Sequence, residues 1–89
     1  GQTYRYVIPQ GTAYKMNNNQ PVVDIMPEWV DLKVGDTIVV VNDDEATHTF
    51  GPITVRAGET TSMQFRNPGY YFGVCSAGTH DTITFSVTA

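Results

Sequence analysis

Three side chains in this 89-residue chain could do metal or redox chemistry together: His48, Cys75 and His80. They are its only histidines and its only cysteine. A thiolate is a soft donor and imidazole a borderline one, a set that favours copper, with zinc second. A trigonal Cys-plus-two-His arrangement with a weak axial group is that of electron-transfer copper sites. Burial of the sulfur, and backbone N–H groups aimed at it, would tune the potential. A lone thiol cannot close an intrachain disulfide, which excludes a disulfide-stapled miniprotein. It is a packed apolar residue, a nucleophile or a ligand.

The elements that must position these residues read as strands. Val, Thr, Tyr and Phe run along the whole length, and eight Gly and five Pro interrupt them at short intervals. No window holds a helical period, although a few helical residues fit near Thr12 to Met16. Thr3 to Ile8 alternates, with Tyr4, Tyr6 and Ile8 on one face. Val22 to Met26 is a short candidate strand closed by Pro27. Trp29 to Val34 and Thr37 to Asn42 flank Gly35-Asp36, which predicts a hairpin. His48 to Val55 is extended but broken by Gly51-Pro52, as a bulged or edge strand would be. Thr60 to Phe65, Tyr70 to Cys75 and the closing run carrying Ile83, Phe85 and Val87 complete seven or eight strands. The fold class this predicts is an all-β antiparallel sandwich, one domain spanning 1–89. His48 follows a loop that leaves a strand, and Cys75 ends a strand with His80 beyond it. Loops at one end of a sandwich converge, so the two segments are expected to meet at one pole.

Composition narrows the function classes. Nine Asp and Glu against five Lys and Arg give a formal charge of −4 and a pI near 4.7. That excludes a nucleic-acid binder that works by neutralising phosphates. The longest aliphatic run, Ile38 to Val41, is far short of the roughly 20 residues that span a bilayer, so no membrane-spanning segment is expected. Hydrophobic residues are 40% of the chain, too many for a disordered one.

The order of the fragments resembles the cupredoxins, the blue-copper β-sandwich family of plastocyanin and azurin. Leu32-Lys33-Val34-Gly35-Asp36-Thr37 followed by Val41-Asn42-Asp43 is similar to the family's approach to its first ligand. Ala57-Gly58-Glu59-Thr60, Pro68-Gly69-Tyr70-Tyr71-Phe72 and Gly73-Val74-Cys75-Ser76 resemble the strands leading to the copper Cys. The resemblance covers Pro27 to Val87. It implies a Greek-key sandwich, one mononuclear copper ion, and His48, Cys75 and His80 as metal ligands. It also implies that Asn42 ties the first-His loop to the loop holding Cys75. Two departures stand out. Ser76-Ala77-Gly78-Thr79 separates Cys75 from His80, leaving His80 as second His ligand or as a group near the axial position. No Met follows His80. Met16, Met26 and Met63 lie elsewhere, and a carbonyl near Thr47, a water or a carboxylate are the other axial candidates.

The reading that results is a non-enzymatic copper electron carrier, monomeric, with a redox protein as partner and a periplasmic or extracellular location. No signal or anchor segment is expected within these residues. The alternatives are a copper-delivery module without redox turnover, a thiol enzyme built on Cys75, and a metal-free structural sandwich. Asp43, Asp44 and Glu45 read as a solvated loop or an acidic docking patch for a basic partner. Trp29 and the Tyr70-Tyr71-Phe72 run read as core and sheet-face residues, and Met63 as core.

Overall fold

The computed structural model describes residues 1–89. Eight strands and one short helix follow in order: β1 (Thr3–Ile8), α1 (Thr12–Asn17), β2 (Trp29–Lys33), β3 (Thr37–Asn42), β4 (His48–Phe50), β5 (Ile53–Val55), β6 (Thr60–Gln64), β7 (Gly69–Val74) and β8 (Thr82–Thr88). One sheet has the order β1-β3-β6, the second β2-β8-β7, and β4 and β5 form a separate hairpin. This is the all-β sandwich expected from the alternation. The helix lies where helical residues were expected.

Period-2 patterning explains the two layers. Ile38, Val40 and Asn42 of β3 point inward, as do Val30 and Leu32 of β2 and Ile83, Phe85 and Val87 of β8. Phe65 packs on Phe85 with ring centroids 5.2 Å apart and on Tyr71 at 5.1 Å. Each fully buried aromatic of this kind contributes about 1.5–3 kcal/mol through burial. Met63 packs against the same cluster, as its alternation with Phe65 implied.

Three local expectations are corrected. Gly35-Asp36 does not close a hairpin, because β2 and β3 lie in different sheets and each pairs in parallel, β2 with β8 and β3 with β1. The buried Asp36 carboxylate explains this: it accepts the Lys33 N–H at 2.9 Å and the Gln2 N–H at 2.8 Å, fastening a turn that crosses from one layer to the other. Val22 to Met26 is no strand; the flanking Pro21 and Pro27 lack ladder donors, and Met26 is instead buried in the core. Of the aromatic run only Tyr71 packs inward, while Tyr70 and Phe72 are 74% and 70% exposed and Trp29 is also exposed. Trp29 and Tyr70 meet on the outer face of the second sheet, with centroids 5.8 Å apart.

Candidate metal centre

Backbone contact between the β4–β5 hairpin and β7 brings His48 and Cys75 to one end of the sandwich. The Gly51 N–H donates to the Val74 carbonyl at 2.8 Å. A Cβ on Gly73 would stand 2.7 Å from the Gly51 Cα, so only glycine lets the two backbones approach this closely. Gly51 itself turns at φ +58°. One residue further along, Phe50 bridges Cys75 in antiparallel fashion. Beyond that, the Ser76 N–H donates to the Thr49 carbonyl at 2.9 Å, and the Thr49 N–H donates to Ser76 Oγ at 2.7 Å.

His48 is buried and held from both sides. Its Nε2 lies 2.7 Å from Asp44 Oδ2, and its Nδ1 lies 3.4 Å from Ser76 Oγ. Burial pushes the Asp44 carboxyl up, but the His48 ring and the N–H groups of Ala13, Glu45 and Gly11 outweigh it and bring it below its ordinary 3.8. Asp44 is therefore ionised near neutrality and can only accept hydrogen bonds. Nε2 therefore faces an acceptor and Nδ1 faces the Ser76 side.

This overturns the reading of Asp44 as a solvated or docking residue. Asp43 and Glu45 are exposed, while Asp44 is 2% exposed. Sequence reasoning missed it because three consecutive acidic residues look like a solvated run. The available signal was alternation: Asn42 and Asp44 point inward, and Asp43 does not. Asn42 also differs from expectation. Its Nδ2 donates to the Ala46 and Val55 carbonyls at 2.7 and 3.2 Å, and its Oδ1 accepts the Asp44 N–H at 3.0 Å. It braces the first-His loop against β5, and the link to the Cys75 segment is made by Thr49 and Ser76.

Cys75 is buried in the core cluster, and its thiol donates to the Ala77 carbonyl at 3.2 Å. Burial pushes the thiol above its ordinary 9.0, with the Asp24 and Asp81 carboxylates adding to the rise and the Ala77 backbone opposing it. An anion-averse pocket of this kind suits a sulfur that ionises only when a cation takes its charge.

His80 is placed differently. Its Nδ1 lies 2.7 Å from the Thr82 carbonyl and its Nε2 2.7 Å from the Met26 carbonyl, with Asp24 Oδ1 at 3.4 Å. The Met26 carbonyl holds the ring's proton affinity above the ordinary 6.5; burial opposes this, and Thr82, Asp24 and Glu28 reinforce it. Both ring nitrogens face carbonyl oxygens, so neither is free for a metal while these contacts hold. No group of three or more His, Cys, Asp or Glu side chains is arranged to hold a metal ion. In donor chemistry the set fits copper: an oriented imidazole nitrogen and a buried soft sulfur adjoin at one end of the fold. His80, held by the Thr82 and Met26 carbonyls, is not brought into that pair.

The arrangement of the sheets matches solved copper proteins. A purple cupredoxin from Nitrosopumilus maritimus superposes with a TM-score of 0.55 and 20% identity over 93% of this chain and 97% of its own. Amicyanin from Paracoccus versutus superposes with a TM-score of 0.58 and 14% identity, over 96% and 80% of the two chains. A reduced Cu(I) form of an amicyanin variant gives 0.57 and 18% identity, over 96% and 81%. The fold is that of a cupredoxin. No family model matches the sequence, and no curated protein does. At these identities the likeness establishes the architecture alone. Cupredoxin architecture accounts for the placement of His48 beside the Cys75–Ser76 strand end. No helix is long and apolar enough to cross a membrane.

Proposed function

We propose that this cupredoxin-fold chain is a copper-binding electron-transfer protein, with His48 and Cys75 as ligands and His80 as the third. The observation that carries the reading is the His48 ring: its Nε2 is tied to Asp44 and its Nδ1 is left facing the strand end that bears Cys75. Bound copper would supply one-electron exchange between Cu(I) and Cu(II). The chain supplies the rest. Asp44 orients the imidazole, core burial keeps water from the sulfur, and the Thr49–Ser76 bonds fix the spacing between the two ligand-bearing segments. No substrate is transformed, and the partner is another redox protein. The exposed Asp43 and Glu45 beside the site, with a net charge of −4, favour a basic partner and a periplasmic or extracellular setting is in keeping with such a carrier.

One observation favours a second reading, copper delivery without redox turnover. His80 is engaged by two carbonyls, and a two-donor His48–Cys75 set suits Cu(I) better than Cu(II). Titration of the metal-free protein with each oxidation state separates the two. An intense visible thiolate-to-copper band with Cu(II), lost in Cys75→Ser, supports the carrier. Tight Cu(I) binding with no such band supports delivery. No uptake of either ion refutes both and leaves a structural sandwich.

A further inference from the structure

We propose that Asp44 is a positioning residue for His48, accepting a hydrogen bond from its Nε2–H so that the Nδ1 lone pair is presented toward the Cys75–Ser76 strand end. As a statement about a copper ligand it rests on the function proposed above; as a statement about the ring it stands on the hydrogen-bond network alone. The Asp44 carboxylate is fully enclosed, with a side-chain exposure of 0%, and the His48 side chain is at 4%. A buried carboxylate costs several kcal/mol unless its lone pairs are met. Here the Gly11 N–H meets Oδ1 at 3.0 Å, the Ala13 N–H meets Oδ2 at 3.0 Å, and His48 Nε2 meets Oδ2 at 2.7 Å.

The simpler role, a cap on the Gly11–Ala13 turn, explains two of these bonds and not the third. An Asn or Ser could serve that turn without burying a charge. The charge acts on the ring. Were the proton on Nδ1, the Nε2 lone pair would face an anionic oxygen at 2.7 Å. Asp44 therefore selects one tautomer. On the other side, Ser76 Oγ accepts the Thr49 N–H, which leaves its own hydrogen free to point at Nδ1. That hydroxyl marks the direction in which the lone pair is offered.

An anion bonded to the far nitrogen of a ligating imidazole raises its basicity and favours the more highly charged metal state. Asp44 should thus hold the copper potential lower than a neutral acceptor would. It also joins the N-terminal turn of α1 to the centre, since Gly11 and Ala13 hold the carboxylate that holds the ring.

Two measurements test this. Nitrogen-15 correlation spectra of the metal-free protein read the ring tautomers, and with two histidines in the chain assignment needs one His80→Gln control. His48 is expected as the Nε2–H tautomer in wild type and in Asp44→Asn, and as a mixture in Asp44→Ala. An Nδ1–H tautomer in wild type, or no change in Asp44→Ala, overturns the proposal. In the copper-loaded protein Asp44→Asn should raise the potential, and Asp44→Ala should weaken copper binding by about 10–100-fold. An unchanged potential in Asp44→Asn overturns the charge argument. A wild type that binds no copper but keeps an Asp44-dependent tautomer refutes the copper reading and upholds the positioning role.

Discussion

Replacing Asn42 tests whether the candidate centre rests on a buried polar brace. The side chain is 0% exposed and makes bonds to the Ala46 carbonyl, the Val55 carbonyl and the Asp44 N–H. Asn42→Ala removes all three and strands their partners in a dry interior. At about 1 kcal/mol net per bond the loss is about 3 kcal/mol, and more if water cannot reach the freed groups. A domain of 89 residues has roughly 4–13 kcal/mol to lose. The melting temperature should fall by about 12–24 °C, measured by near-ultraviolet circular dichroism. Asn42→Asp sharpens the test. It keeps the shape but turns the donor that faces two carbonyls into an acceptor, so it should be at least as damaging near neutral pH. A drop of less than about 4 °C in Asn42→Ala, or a near-native Asn42→Asp, would refute the reasoning.

Gly73→Ala should destabilise by about 1–3 kcal/mol in urea unfolding, because the added methyl meets the Gly51 backbone and not a yielding side chain. A neutral result would mean that the hairpin does not sit this close to β7. His80 gives a pH signature in the metal-free protein. Its folded proton affinity is raised above the ordinary 6.5, so its contribution is fully present below that value and is lost as pH rises through the higher folded one. The stability gap between wild type and His80→Ala should narrow over that rise, and a gap that widens would contradict the carbonyl contacts. Cys75, buried and pushed above 9.0, should alkylate far more slowly in the folded metal-free protein than in urea. Equal rates, monitored by mass spectrometry, would favour an activated nucleophile over a ligand.

The fold was legible because burial on one face of a strand writes a period of 2 into the chain, and β2, β3 and β6 carry it plainly. Pairing was not legible. A Gly35-Asp36 turn between two alternating runs is the local signature of a hairpin, and only the distant Gln2 N–H on Asp36 and the parallel partners β1 and β8 send the chain between layers. At the candidate centre, the meeting of the His48 and Cys75 segments at one end of the sandwich was legible. Asp44 was hidden, because a carboxylate in an acidic run reveals its burial only through partners at Gly11 and Ala13, more than thirty positions away. The orientation of His80 was hidden for the same reason. Its partner carbonyl at Met26 lies 54 positions away and belongs to a backbone group, which no side-chain motif announces.

The two halves of the candidate centre are tied in opposite senses. On the His48 side every bond points the ring nitrogen toward the strand end: Asp44 from behind, Ser76 in front, and Asn42 holding the loop between. An ion seated there would displace the 3.4 Å contact of the Ser76 hydroxyl with Nδ1 and leave the Asp44 bond in place. On the His80 side both ring nitrogens are committed to carbonyls, with Asp24 close by. Under the proposed function, recruiting that ring would mean breaking at least one of these carbonyl contacts. A carrier needs all three ligands in place in both oxidation states, whereas a delivery module gains from a ligand that comes and goes. Under the proposed function, competition between copper and the Met26 carbonyl for His80, more than the absent methionine, would decide between carrier and delivery module.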